Sequence, residues 1–289
     1  MDIKQYFRRL NKKIKDQIDE YRKSVIFRRY PAQLFDNVRY YVMFIGYAHS
    51  GHSLVGALLD AHPNMVVANE LHAIPLFKKY NYDKYKIFKL IMDNSIKCAA
   101  MQDRTNTGYN YYIPNLYQGK YERLEVVGDK KGGATAVYNL KYPEVMDNLI
   151  KLLGHSLKII HVVRNPYDNI SAYAYRLKCE VNKELIEEYF RHADSILSCK
   201  SKLPDDQFYT LIYEELTHNK EAELTKLCNF LGQAASPEYL KQCSNAIYDS
   251  PHKRRHSIEW TDENKTLVRS YMHSDKYRTF FARYDFDSQ

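Results

Sequence analysis

The stretch from Tyr40 to Ala61, "YYVMFIGYAHSGHSLVGALLDA", limits the fold most tightly: a continuous apolar run, a short glycine loop, then apolar residues at helical spacing. Continuous β-branched and aromatic runs indicate strands covered on both faces, because a half-exposed strand would alternate. Comparable runs stand at 66–68, at 124–127 ("LEVV"), at 157–163 ("LKIIHVV") and at 208–212 ("FYTLI"). Between them lie the helical patterns "HSLVGALLDA", "TAVYNLKYPEVMDNLIKLL" and "KEAELTKLCNFLG". The last ends at Gly232, where a glycine is expected just past a helix C-terminus. Strands alternating with helices predict an α/β fold with a central, mainly parallel sheet of about five strands flanked by helices.

At 289 residues, 45% of them hydrophobic, the chain can bury a substantial core. We expect residues 1–38 to form an N-terminal helical extension and residues 39–289 a single domain. In the extension, Ile3, Phe7, Leu10, Ile14, Ile18, Tyr21 and Val25 recur at steps of three or four. That is the period of an amphipathic helix, and its other face is mostly Lys and Arg. Such a helix packs on its own domain, makes a homodimer contact or touches a membrane surface weakly. Residues 76–123 are polar and crowded with lysine and tyrosine, and read as an insertion over the strand ends.

No apolar run reaches transmembrane length and the N-terminus has no apolar core like that of a signal peptide, so a cytoplasmic protein is expected. Cys98, Cys179, Cys199, Cys228 and Cys243 lack C-x-x-C spacing, which predicts reduced thiols and no zinc site. The net charge of +8 favours an anionic partner. Its basic residues are spread out and no nucleic-acid-binding signature occurs, so no nucleic acid is expected.

Gly46 to Ser53 has the glycine spacing of a phosphate-binding P-loop, G-x-x-x-x-G-K-[ST], with His52 in the lysine position. The spacing alone is weak, since it arises by chance in roughly one chain in six of this length. Its placement between a strand and a helix is what the chemistry needs, because backbone N–H groups there converge on an anion. Ser50, His52 and Ser53 add side-chain donors; an ordinary strand-to-helix turn remains the alternative. A P-loop kinase-like phosphotransferase fits less well. It needs the missing lysine and an acid for magnesium, for which only Asp129 is placed.

Three segments, in order, resemble the PAPS-dependent sulfotransferases, PAPS being 3′-phosphoadenosine 5′-phosphosulfate. "IGYAHSGHSLVGALLDAHPNMVVANE" is similar to their 5′-phosphosulfate loop, usually R-S-G-[ST]-[ST]-L, then a helix ending L-x-x-H-P, then a glutamate. "IIHVVRNPYDNISAYAYR" resembles their 3′-phosphate signature, an Arg-x-Pro-x-Asp turn and a helix carrying a serine. "YEELTHNKEAELTKLCNFLG", opened by Tyr213, is similar to a late family segment. The likeness spans residues 40–260. It implies a P-loop-like nucleotide-binding core, and it accounts for the loop, since a single 5′-phosphate needs no P-loop lysine.

The resemblance also implies roles. Glu70 aligns with the catalytic glutamate of several members, tyrosylprotein sulfotransferases among them, with His52 and His72 as competing bases. Lys130, with Lys131 beside it, resembles the lysine placed near the sulfuryl group. His49, Ser50, Gly51, His52, Ser53 and Leu54 correspond to the loop, and Arg164, Ser171, Tyr213, Lys253, Arg254 and Arg255 to the rest of the cofactor site. Two departures stand out. The serine usually found eight residues after the arginine is replaced by Ala172, with Ser171 before it. The usual cation before Ser-Gly is His49, so that charge comes from a protonated His49, from Lys130, or from nowhere. The expected reaction is in-line sulfuryl transfer from PAPS to a hydroxyl or amine, without a metal, releasing adenosine 3′,5′-bisphosphate (PAP). A small organic molecule is the expected acceptor, with the tyrosine-rich segment as its aromatic wall. A non-catalytic nucleotide-binding protein on the same fold is the alternative.

Overall fold

The computed structural model describes residues 3–101 and 111–288; within the first helix, side chains are described for Lys15 and for residues 17–29. That helix, α1 (Ile3–Arg29), precedes β1 (Tyr40–Gly46), α2 (His52–Asp60), β2 (Met65–Asn69), α3 (Ala73–Lys79) and α4 (Lys84–Ala100). The chain continues through β3 (Val126–Lys130), α5 (Gly132–Lys141), α6 (Pro143–Leu153), β4 (Leu157–Val163), α7 (Pro166–Leu177) and α8 (Lys183–Lys200). It finishes with β5 (Phe208–Ile212), α9 (Tyr213–His218), α10 (Lys220–Phe230), α11 (Pro237–Ala246), α12 (Asp262–His273) and α13 (Arg278–Phe281).

The five strands form one parallel sheet in the order β2-β3-β1-β4-β5. Side chains alternate across β1, so Tyr41, Met43 and Ile45 enter one core and Val42 and Phe44 the other. Helix α2 contributes Leu54, Val55 and Leu58 to the second core, whereas α7 contributes Tyr167, Ile170 and Ala174 to the first. The helices that follow the neighbouring strands β1 and β4 therefore leave on opposite faces of the sheet. A crevice opens between their first turns, as at any such switch point.

Several boundaries differ from the sequence expectation. The strand expected at 124–127 runs from Val126 to Lys130, because its carboxyl end is built of site residues that an apolar pattern does not detect. The pattern at 135–153 is two helices. Pro143 has no N–H to donate to a continuing helix, and starts α6 instead. Within 76–123, α4 packs on β2 and β3 and buries Ile87, Phe88, Leu90 and Ile91, so this part is a covering layer of the sheet rather than an insertion over the strand ends. Its lysine and tyrosine rim hides that apolar stripe in the composition. Residues 113–122 run back along the C-terminal end of α2, where the Gln118 amide donates to the Ala57 carbonyl. Of the segment 76–123 expected to form an aromatic wall, residues 102–110 lie outside the described residues. Among the described residues the five cysteines form no disulfide. No helix among the described residues is long and apolar enough to cross a membrane.

Candidate active site

The loop after β1 turns on Gly51, whose φ of +98° suits a residue without a side chain. A Cβ there would stand 2.4 Å from the ring of Tyr213, the first residue of α9, so Gly51 also admits that ring against the loop. Arg164, just past β4, lies over the other part of this joint, 5.4 Å from the Tyr213 ring centroid. It donates to the carbonyls of His49, at 3.3 Å, and His252. One guanidinium thus ties the loop to the segment 248–254. Ser50 is fully buried; its hydroxyl donates to the Tyr47 carbonyl at 2.9 Å and receives the Asn169 amide at 3.1 Å. Its side chain shapes the loop instead of facing the cleft, and the side chain of Leu54 belongs to the core.

Neither loop histidine supplies a cation. The His52 ring is lodged between Gly46 and Gly132, where added Cβ atoms would come within 2.6 and 2.5 Å of it. Burial, and then Lys130, lower its pKa to about 4. His49 is likewise held below the usual imidazole range by burial and by Arg176, Arg164 and Arg254. Both rings are therefore shifted toward the neutral form.

The cation beside Ser53, at the helix end of the loop, is Lys130, at the end of β3. It is 1% exposed, and its ammonium donates to Glu70 Oε1 at 2.5 Å and to Ser53 Oγ at 3.1 Å. Its stem crosses α2 at Gly56, where a Cβ would approach to 2.7 Å. Burial lowers the Lys130 pKa and the Glu70 pair partly restores it. Lys131 grips the other oxygen of Glu70 from the cleft wall, so both lysines reach the same carboxylate and only Lys130 also reaches α2. Burial pushes the Glu70 pKa up, but Lys130 and Lys131 outweigh it and the net shift is downward.

Glu70 sits at φ +63° and His72 at +60°, in a turn anchored by Asp129. The Asp129 carboxylate accepts the N–H groups of Leu71, at 3.1 Å, and Ala73, at 2.7 Å. Burial raises its pKa to about 6. Asp129 therefore builds the turn that presents Glu70 and does not face a magnesium site. Among the described residues no group of three or more His, Cys, Asp or Glu is arranged to hold a metal. His72 lies edge-on to Tyr138, with centroids 5.8 Å apart, and is not part of the cleft wall. As a competing base it is corrected to a residue of the turn.

The cleft has a volume of about 1670 Å³ and reaches from Glu70 and Lys131 to the basic segment at Lys253 and Arg254. Two expected ligands face elsewhere. Ser171 is fully buried and its hydroxyl accepts the Trp260 indole N–H at 3.0 Å, while Ala172 lines the cleft. One residue turns a helix by about 100°, which separates the two environments. Arg255 is 1% exposed and committed to Asp168, through its backbone N–H at 3.0 Å and its guanidinium at 2.6 Å, with a further bond to the Ser288 carbonyl. It anchors the basic segment to α7. Arg254, its neighbour, lies over the Tyr175 ring at 4.7 Å.

Arg176 lines the cleft too. Sequence reasoning missed it, although its place four residues after Ala172 puts both on one face of α7. Of Arg164, Arg176, Lys253 and Arg254, only Arg164 comes within ion-pair distance of a carboxylate among the described residues, Asp168 at 3.9 Å. The tyrosines of the wall are Tyr47, Tyr173, Tyr175, Tyr189, Tyr213 and Tyr248, with only Tyr111 contributed by the described part of 76–123.

A parallel sheet with a glycine loop at its switch point, free cations around that loop and a carboxylate held by two lysines defines an anion-binding α/β protein. The family model described as "Sulfotransferase family" matches residues 42–237. The chain belongs to that family. Among solved structures it is similar to the sulfotransferase domain from the curacin biosynthetic pathway, at 19% identity and a TM-score of 0.47, covering 88% of this chain and 95% of that one. It is also similar to the mouse sulfotransferase SULT7A1 complexed with PAP, at 15% identity and 0.46, covering 88% and 92%. A third is sulfotransferase STF1 from Mycobacterium tuberculosis H37Rv, at 10% identity and 0.48, covering 89% and 81%. No curated protein matches the sequence.

Proposed function

We propose that this sulfotransferase moves a sulfuryl group from PAPS to a hydroxyl or amine of a small organic acceptor, with Glu70 as general base. The observation that carries the reading is the meeting of Glu70, Lys130 and Ser53 at the first turn of α2, with 2.5 and 3.1 Å between their polar atoms. The residues present suit the cofactor. Among the described residues, Arg164 Nε and His49 Nε2 are buried around the loop without a partner, and Arg176, Lys253 and Arg254, which pair with no carboxylate there, line the far end of the cleft. Buried polar atoms of this kind are costly unless something completes them.

When bound, PAPS supplies the electrophilic sulfuryl group and a bisphosphate leaving group. The N–H groups of the loop, with Ser53, would hold the 5′-phosphosulfate, and Arg164, Arg176, Lys253 and Arg254 would hold the 3′-phosphate. Lys130, beside Ser53, would offset charge that develops on the leaving group. Glu70 takes the acceptor proton. Because Lys130 and Lys131 hold its pKa down, the Glu70 carboxylate stays in its proton-accepting form.

The test has two parts. Adenosine 3′,5′-bisphosphate should raise the melting temperature where adenosine 5′-monophosphate and Mg-ATP do not, since a ligand that binds only the folded state stabilises it. In an acceptor screen with labelled PAPS, Glu70→Ala should keep that thermal shift and lose transfer by roughly 10²- to 10⁴-fold. Unchanged transfer removes Glu70 from the mechanism, transfer only to peptides removes the small-molecule acceptor, and stabilisation by ATP alone removes the PAPS reading.

A further inference from the structure

Helix α1 joins the domain by one face. Glu20 pairs with Lys79 at 2.6 Å, the Phe27 ring meets Tyr80 edge-on at 5.3 Å, and the Phe27 carbonyl accepts Lys89 at 2.9 Å. Lys23 is half-buried on the same side. Glu20, Lys23 and Phe27 each stand two residues after Ile18, Tyr21 and Val25, which is about 200° around a helix. The amphipathic stripe therefore points away from the domain. Ile18 is 48% exposed, Tyr21 68% and Val25 41%. The helix packs on its own domain as expected, but through the face opposite the stripe.

The register of α1 carries Ile14, Leu10, Phe7 and Ile3 along the same line. The apolar positions step by four, three and four residues and then repeat every eleven, close to the natural period of a straight helix. Such a stripe stays parallel to the helix axis and matches a flat surface; a seven-residue repeat would wind around a partner helix. The helix is about 40 Å long, at about 1.5 Å per residue. Residues 3–29 hold ten Lys and Arg against three Asp and Glu, so this one helix carries +7 of the chain's +8. Exposed Lys15 and Arg22 border one edge of the stripe.

We infer that α1 docks the protein on an anionic lipid surface, lying in the plane of the headgroups with Ile18, Tyr21 and Val25 in the acyl boundary and its cations against the lipid charge. An exposed apolar stripe bordered by Lys and Arg is how interfacial helices bind. Two copies meeting stripe to stripe would instead bring two +7 helices together without counter-charge.

Full-length protein is mixed with phosphatidylcholine vesicles, with and without phosphatidylserine, and bound fraction is read by sedimentation at low and high salt. Binding is expected only with phosphatidylserine, weakening as salt rises. The triple substitution Ile18→Asn, Tyr21→Asn, Val25→Asn should lower partitioning on the order of tenfold with an unchanged melting temperature, because these side chains are exposed. Binding indifferent to phosphatidylserine or to the triple substitution overturns the proposal. Self-association abolished by the triple substitution, without vesicle binding, overturns it in favour of a second copy, and salt-dependent binding to an oligonucleotide in place of vesicles overturns it in favour of nucleic acid.

Discussion

Ala172→Ser and Ser171→Ala should have opposite effects, and the difference follows from one residue of helical rotation. Ala172 lines the cleft beside the cation cluster, and in the proposed site a hydroxyl there would meet the 3′-phosphate. A hydrogen bond to a charged group contributes about 1.5–3 kcal/mol when buried. At this half-exposed position about 1 kcal/mol is a fair share, or roughly a fivefold gain in affinity for adenosine 3′,5′-bisphosphate. Ser171→Ala leaves the cleft untouched and strands the buried Trp260 indole N–H. An unpartnered buried donor costs about 1–3 kcal/mol, which lowers the melting temperature by several degrees in a domain of this size, roughly 2–4 °C per kcal/mol. Calorimetric titration with the bisphosphate and a thermal melt on each variant separate the two effects, and neither assay requires a known acceptor. If Ser171→Ala weakened bisphosphate binding about fivefold and left the melting temperature alone, the assigned orientation of α7 would be wrong, and with it the account of Ala172.

Two further outcomes follow from the site's electrostatics. Arg176→Ala should weaken bisphosphate binding by roughly threefold to tenfold, with a smaller effect at high salt, and move the His49 titration upward, since Arg176 helps to depress it; unchanged affinity would take Arg176 out of the anion site. Asp129 binds its proton more tightly in the folded state, near pKa 6 against 3.8, so its stabilising contribution is full below the unfolded pKa and lost as pH rises through the folded one. Lowering the pH from 7 to 5 should therefore stabilise the wild type relative to Asp129→Asn by about 1 kcal/mol; parallel melting curves for the two proteins across that range would contradict the assigned shift.

The sequence by itself determined the sheet and the position of the loop. The runs at 40–45, 157–163 and 208–212 match β1, β4 and β5 closely because burial on both faces demands continuous apolar residues, a constraint each strand carries locally. The spacing of Gly46, Gly51 and Ser53 was equally local. Only the tertiary structure decided which polar residues serve the site. Ser171 and Ala172 are neighbours in the chain, but Trp260, brought from far away in sequence, claims the serine. In the run of three cations, Asp168 claims Arg255 and leaves Lys253 and Arg254 to the cleft. Lys130 rather than Lys131 reaches Ser53 because strand pairing buries its stem against Gly56. Asp129, which in the sequence resembled a metal ligand, is consumed by two backbone N–H groups of a turn that pairs only when β2 lies beside β3. Hydrophobic periodicity records how each element meets the core. The partner of a long polar side chain is settled by contacts between segments distant along the chain, which no local pattern encodes.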